Sequence, residues 1–331
     1  TASVHLLNVT PGDSTLIRHA DNKWTMIDIC DGNYEQPATS LFDLAPSLAK
    51  SKFKMTEHPT NPVSYLKSQN VSTLFRFILS HPDMDHLDGF NSLIDEIRVL
   101  NFWDSGIRRK KPDFGDSSFS YKEDDWDRYV KVRDGHEAGV STAIRKEGSR
   151  FAFANQNEDG ESGGNGLYIL SPTIQLVRNA NDASYVILYR STGGKILLPG
   201  DAHDASWEYL VQNKLSDIQN CSFLLAPHHG RDSSRDYAFL DHTKPQLTLI
   251  GCSELGHVDL KQWTMRGLPY ITSDQAGNVV LEITSGRIDV FIENDVFAKQ
   301  YQNSYEIKNN QGYYYLMSLP QENSQQFDVA V

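Results

Sequence analysis

The chain has 331 residues, with 31 Lys and Arg against 43 Asp and Glu, and its net charge of -12 argues against a protein coated in nucleic acid, which needs a basic face. With 39% hydrophobic and only 22% charged residues it can bury a sizeable core, and global disorder is excluded. No apolar run reaches the roughly 18 residues of a membrane-spanning helix, so no membrane partner is expected. The opening TASVHLLNVT has neither an initiator Met nor a charged-then-apolar leader and reads as a trimmed start. Cys30, Cys221 and Cys252 are far apart and odd in number, which suits core thiols in a reducing cytoplasm better than a disulfide framework.

The first section reads as hairpin strands: SVHLLNV, then STLIRHA after the turn TPGD, then WTMIDIC after DNK. Pro62 opens a helix over NPVSYLKSQN, ahead of a strand over TLFRFILS. A short helix over NSLIDEIRV and a strand over LNFWDS follow. From about 107 to 165 the chain turns strongly polar and reads as an insertion with one helix, ending in a Gly-rich loop. Order returns with GLYILSP, IQLVRN, SYVILYR and KILLPGD, a helix over DASWEYLVQNK, and strands in SFLLAPHHG and LTLIGC. The section YITSDQAGNVVLEITSGRIDVFI is again paired strands. Two strand-rich halves with helices imply packed sheets flanked by helices, an α/β (α+β) class.

The stretch LSHPDMDHLDGF crowds His81, Asp83, Asp85, His86 and Asp88 onto the end of an apolar strand. A turn accounts for Pro82 and Gly89, but nothing about a turn asks for two histidines at that spacing. Asp201 ends the apolar run ILLPGDA, His228 and His229 end FLLAPHHG, and Asp28 lies inside WTMIDIC. Asp201 alone would pass for a turn aspartate, and the His pair alone for a loop. Ionisable groups at the ends of apolar strands are costly unless paired or bound to metal, and four such sites point jointly to one metal centre. No G-x-S-x-G, P-loop or dinucleotide fingerprint competes for the chemistry.

SHPDMDHLDG resembles the HxHxDH signature of the metallo-β-lactamase superfamily, with Asp83 in place of the middle histidine. That HxDxDH form resembles the metallo-β-lactamase-like domain of ComEC-type DNA-uptake proteins. LLNVTPGDSTLI is similar to that family's DVGQGDS opening, with Asn8 where Asp is usual, and MIDICDG to its LIDTG. NDASYVILYRSTGGKILLPGDA, LLAPHHGRDSS, Gly256-His257 and YITSDQAGNV resemble its later segments in order, from about residue 4 to residue 292.

The resemblance implies a single αββα sandwich over 1–331, two mixed sheets flanked by helices, with the polar insertion at about 107–165. It implies two divalent metal ions, with His81 and Asp83 at the first and Asp85, His86 and His228 at the second. Asp201 would bridge them, and Asp28 would orient a ligand histidine. The histidine that other members carry before SYVIL is missing, and Asn179, Asn181 and Asp182 occupy that region. Fewer imidazoles favour harder ions, so Mn²⁺ competes with Zn²⁺. Two metals about 3.5–4 Å apart activate water and neutralise a phosphoryl group. The expected activity is therefore a metal-dependent phosphodiesterase or nuclease, with Asp85, Asp201 and His229 catalytic, and His229 as proton donor or phosphate contact. Ser233, Ser234, Asn181 and His257 are candidates for binding substrate, whereas His203 and His136 carry no argued role. The partner would be nucleic acid, along Arg108, Arg109, Lys110 and Lys111, or another phosphodiester. The rivals are hydrolysis of a small substrate (a cyclic nucleotide, phosphocholine ester, thioester or lactam), a non-catalytic module, or an effector activated by a partner protein on the insertion.

Overall fold

The computed structural model describes residues 1–9, 11–31, 53–116, 120–147, 165–173, 181–251, 258–302 and 307–321. Its strands begin with β1 (Ser3–Leu6), β2 (Thr15–Arg18), β3 (Trp24–Ile27), β4 (Thr73–Leu74), β5 (Arg76–Ile78), β6 (Arg98–Val99), β7 (Asn101–Asp104) and β8 (Ser141–Ile144). They continue with β9 (Leu167–Ser171), β10 (Val186–Ser191), β11 (Gly194–Leu198), β12 (Phe223–Leu225), β13 (Leu247–Ile250), β14 (Tyr270–Thr272), β15 (Val279–Thr284), β16 (Arg287–Ile292) and β17 (Tyr314–Pro320). One sheet has nine strands in the order β17-β16-β15-β1-β2-β3-β5-β7-β8, and a second has six in the order β14-β13-β12-β11-β10-β9. Both are mixed: β3, β5, β7 and β8 run parallel, as do β11 to β14, while the remaining pairs are antiparallel.

The period-two alternation of the strands builds the layers. Ile17, Ile27 and Ile78 face inward against Ile187, Ile196, Phe223 and Leu249 of the other sheet. Their neighbours Leu16, Met26 and Phe77 face outward and are covered by Leu66, Leu93 and Tyr129 from the helices Pro62–Ser68, Phe90–Glu96 and Glu123–Arg133. On the far side Leu188, Leu197 and Leu224 pack under Trp207, Phe239 and Trp263, from the helices Asp204–Asn213, Phe239–Thr243 and Lys261–Met265. The result is the expected four-layer αββα sandwich. Burying one such side chain is worth roughly 1.5–3 kcal/mol, so the apolar interlayer holds the sheets together and leaves the rim free for polar groups.

Several elements differ from the sequence reading. TLFRFILS is two strands broken by a bend at Phe75, with β4 pairing β6 while β5 joins the large sheet. The polar segment 107–165 supplies the helix Glu123–Arg133, whose Trp126, Tyr129 and Val132 are buried, and also β8, the edge strand of the large sheet. The paired strands near the C-terminus divide between the sheets. β14 closes the small one, a capping box joining Thr272 and Gln275 turns the chain, and β15 pairs with β1. The segment IQLVRN, Cys252, Asn179 and His257 lie outside the described residues. Cys30 and Cys221 are buried, and the Cys30 thiol donates to Pro11 O at 2.9 Å. Among the described residues no helix is long and apolar enough to cross a membrane.

The parallel registers aim the polar loops. Ile27 lies beside Ile78, and Leu197 beside Leu224, so the segments after β3, β5, β11 and β12 leave the sandwich at one rim. The two sheets are tied there by the Tyr185 N–H donating to Ser80 O, at 2.9 Å. Gly12, in the turn before β2, approaches the same rim with φ +136°, and a Cβ on it would lie 2.0 Å from Asp85 O. We expect Gly12→Ala to lose on the order of 2–3 kcal/mol of stability, seen as a lower midpoint in urea unfolding. A Gly12→Ala midpoint equal to that of the wild type would contradict the close approach.

Candidate metal centre

Four histidines, His81, His86, His228 and His229, meet five aspartates, Asp13, Asp28, Asp83, Asp85 and Asp201, at this rim. Asp201 is 3% exposed and stands between two groups of rings. Its Oδ2 lies 3.6 Å from His81 Nε2 and 3.5 Å from His228 Nε2. Its Oδ1 lies 3.3 Å from His86 Nε2 and 3.9 Å from His229 Nε2. Asp83 Oδ2 joins the first group, 3.5 Å from His81 Nε2, and Asp85 Oδ2 joins the second, 3.3 Å from His229 Nε2 and 3.9 Å from His86 Nε2.

Local backbone explains how neighbouring residues reach one carboxylate. His81, Asp83, Asp85 and His86 line a short 3-10 turn, Met84–His86, directly after β5. His228 and His229 follow Pro227 with φ of 51° and 56°. In an extended strand adjacent side chains point to opposite faces. The left-handed turn instead lets both imidazoles face Asp201, and Gly230 continues it at φ +76°. Asp28 is also left-handed, at φ 58°. Its Oδ1 accepts the Ser80 N–H at 2.7 Å, and its Oδ2 lies 2.8 Å from His86 Nδ1.

The geometry sorts the expected residues differently from the resemblance. His228 lies with His81 and Asp83, whereas His229 takes the place beside Asp85 and His86. Asp13 was not singled out in the sequence, although it stands in the GDS of the segment matched to DVGQGDS; its Oδ1 lies 3.2 Å from His229 Nδ1, without hydrogen-bond alignment. Arg235 was also missed: it donates from Nη2 to His228 Nδ1 at 3.2 Å, from Nη1 to Ala202 O at 2.7 Å and from Nε to Ser233 Oγ at 3.1 Å. No sequence signal marks Arg235. Ser233 is thus engaged by Arg235, while Ser234 is exposed. Asn181 is half-buried, and its carbonyl accepts the Ser184 N–H. Asp182 accepts from the Ser206 N–H and hydroxyl at the start of a helix. Of the basic run, Arg109 ion-pairs with Asp83, Arg108 with Asp104, and Lys111 with Glu123 and Asp127. His203 precedes the helix Asp204–Asn213 without a side-chain capping hydrogen bond, and His136 is exposed.

Burial disfavours charge on His86, but Asp201, Asp85 and Asp28 outweigh it and hold its pKa well above the ordinary value. His229 behaves alike: burial opposes its charge, yet Asp13 and Asp201 push it up to about 10. Burial would raise Asp201, but His86, His81 and His229 hold it well below the carboxylate range. His228 is lowered to about 4, first by burial, against the pull of Asp201. Nearby, burial and the facing Asp31 and Asp125 raise Asp88 to about 8, so this last acid of the motif belongs to a separate carboxyl group.

The residues fit divalent ions. Among the described residues His81 Nε2, His86 Nε2 and Asp201 Oδ1 are buried with no hydrogen-bond partner, a cost of about 1–3 kcal/mol each that a cation removes. Asp13, His86, Asp201 and His229 each bring a ligand atom within 4.8 Å of the others.

No family model matches the chain, and no curated protein matches it. Solved structures similar to it include a new diphosphatase from the PhnP family, at 13% identity and a TM-score of 0.45, covering 86% of this chain and 99% of that one. Another is Igni18, a metallo hydrolase from Ignicoccus hospitalis KIN4/I, at 12% identity and a TM-score of 0.46, covering 85% and 100%. A third is Tm1679, a metal-dependent hydrolase of the β-lactamase superfamily, at 10% identity and a TM-score of 0.46, covering 86% and 100%.

Two predictions follow from the charge pattern. His86 and His229 are raised on folding, so their contribution is complete below about pH 6.5 and is lost as pH rises toward 10. Asp201 is depressed, so its contribution is lost only as pH falls below the ordinary carboxylate value. A divalent ion replaces those imidazole protons, so the melting temperature of metal-loaded protein should exceed that of chelator-treated protein by a margin that widens from pH 6 to 9. A constant margin across that range would count against a cation at these rings. Removing the carboxylate behind His86, in Asp28→Ala, should weaken metal affinity about 10- to 100-fold by calorimetric titration.

Proposed function

We propose that the chain is a metal-dependent hydrolase of the metallo-β-lactamase superfamily that cleaves phosphodiesters. One observation carries this reading: a single buried carboxylate, Asp201, presents one oxygen to His81 and His228 and the other to His86 and His229. A carboxylate so divided suits two cations rather than one. His81, Asp83, His228 and Asp201 would hold the first, and Asp85, His86, His229 and Asp201 the second. Zn²⁺ or Mn²⁺ suits this mixture of imidazole and carboxylate. When bound, such ions supply an activated water and neutralise charge on a phosphoryl group.

The protein's own groups do the rest. Asp28 and Asp13 stand behind His86 and His229 and hold their rings toward the centre. Among the side chains that meet at the rim the most exposed are Asp83, Asp85 and His228, at 31%, 21% and 18%. Substrate would therefore approach over those three residues.

A small phosphodiester is favoured over long DNA by a second observation. Three of the four residues in the run Arg108 to Lys111 are paired with carboxylates, on a chain of net charge -12. Few cations on that run are then left to follow a polyanion.

Elemental analysis of the purified protein, together with hydrolysis of bis(p-nitrophenyl) phosphate and of plasmid DNA with added Mn²⁺, tests both statements. The expected result is close to two metals per chain and cleavage of the small ester, with Asp201→Ala lowering kcat/KM by a factor on the order of 1,000. Cleavage of plasmid with a steep salt dependence would reverse the preference for a small substrate. Metal content and hydrolysis untouched by Asp201→Ala would end the metal-centre reading.

A further inference from the structure

The outer face of the large sheet changes character away from the metal rim. Nearer the rim its outward positions on β2 and β3 are apolar, with Leu16 and Met26 under the helices. Two residues further on, the registers bring Ser3, Arg18 and Trp24 into one row across β1, β2 and β3, with His5 next to them on β1. These residues line a cleft of about 350 Å³, bounded by Gln69 at the end of the helix Pro62–Ser68 and by Gln311 in the turn ahead of β17. That volume suits a small molecule. Arg18 lies three residues, roughly 10 Å, from Thr15, which pairs with Ile27 at the rim.

The floor of the cleft is fixed and neutral. His5 is buried with both ring nitrogens engaged, Nε2 with Ser3 Oγ and Nδ1 with the Tyr65 hydroxyl, each at 2.8 Å. The indole of Trp24 leans on that imidazole, with ring centroids 5.3 Å apart. Burial first, and then the nearby Arg18, push the His5 pKa down to about 3, so the ring carries no charge near pH 7. Arg18 supplies the charge instead. It is exposed, donates from Nη2 to Asn22 Oδ1 at 2.8 Å, and among the described residues pairs with no carboxylate, unlike Arg128, Arg266 and Arg287. Asn22 sits at φ 64° in the turn between β2 and β3, so the hairpin itself positions the guanidinium. No acid lines the cleft, since Glu282, which pairs with Ser3 in the sheet, lies outside the lining. The cleft is thus locally cationic on a chain of net charge -12.

The rest of the lining says what should accompany the anion. Asn22, Gln69 and Gln311 carry amides, which both donate and accept, and half-buried Trp24 adds an aromatic surface. Gln311 Nε2 donates to Gln69 Oε1 at 3.2 Å, while the Asn22 amide nitrogen makes no hydrogen bond among the described residues. A guanidinium matches a phosphate or a carboxylate, amides match hydroxyl groups, and an indole matches the C–H face of a ring. We propose that this cleft is a second binding site, separate from the metal centre, for an anionic monosaccharide, whose phosphate or carboxylate is held by Arg18 and whose ring lies beside Trp24 with its hydroxyls toward Asn22, Gln69 and Gln311. Free phosphate would use Arg18 alone, and a neutral sugar would leave Arg18 unmatched.

Glucose 6-phosphate and glucuronate, titrated in the millimolar range into ¹⁵N-labelled protein, test this through the indole N–H signal of Trp24, identified by its loss in Trp24→Phe. At least one of the two should move that signal to saturation, and the tighter of them decides between a phosphate and a carboxylate. Glucose and inorganic phosphate should each bind at least about 10-fold more weakly. Arg18→Ala, at an exposed position, should keep the wild-type melting temperature and weaken binding about 10- to 100-fold. Gln311→Ala should weaken the sugar acid but not inorganic phosphate. Removing divalent ions with a chelator should change none of this. A Trp24 signal unmoved by both ligands, wild-type affinity in Arg18→Ala, or glucose binding as tightly as its acids overturns the proposal. Equal affinity for inorganic phosphate reduces the cleft to a site for free anions and overturns the sugar assignment. A shift abolished by the chelator places the ligand at the metal rim and overturns the second site.

Discussion

Asp201 is a carboxylate buried at the junction of two sheets, with Oδ1 lacking a hydrogen-bond partner among the described residues. Such a group is among the more costly things a protein can hide, and it is tolerable only among cations. The surrounding architecture supplies them. The parallel registers of β3 with β5 and of β11 with β12 deliver histidines to both of its oxygens from separate sheets. The rings of His81 and His86, with centroids 4.3 Å apart, would repel if both were charged without that carboxylate between them. Asp28, Asp13 and Arg235 then set which nitrogen of each ring faces inward.

The frame of the fold was legible in the sequence because its strands alternate cleanly. Leu16-Ile17, Met26-Ile27 and Phe77-Ile78 each place one apolar residue on either side of the large sheet, and Pro62 marks a helix start. What escaped was long-range pairing. Nothing local in β15 to β17 says that they return to the edge of β1, and nothing in the polar segment around Ser141 says that it closes the other edge. The break at Phe75 escaped as well, because an apolar run reads the same through a bend.

The candidate centre was legible in kind but not in arrangement. His81, Asp83, Asp85, His86, Asp201, His228 and Asp28 all lie at the rim, since charged residues ending apolar strands have few other places to go. The order of His228 and His229 could not be read from spacing, because it depends on a left-handed turn that no residue but Gly230 announces. Asp13 and Arg235 were invisible as site residues for another reason. Each touches a ring of the centre from a distant or unmarked position, across 216 and 7 positions of chain respectively.

Two consecutive β-carbon-bearing residues at φ 51° and 56° each cost on the order of 1–3 kcal/mol in backbone strain. Glycine at either position would relax the loop, and loss of the imidazole would also relieve the crowding of charge around Asp201. A lineage selected for thermal robustness alone would therefore drift toward a quieter, emptier rim. In this chain the His228-His229 turn keeps both the strain and the charge, so the rim gives up stability that a glycine would restore.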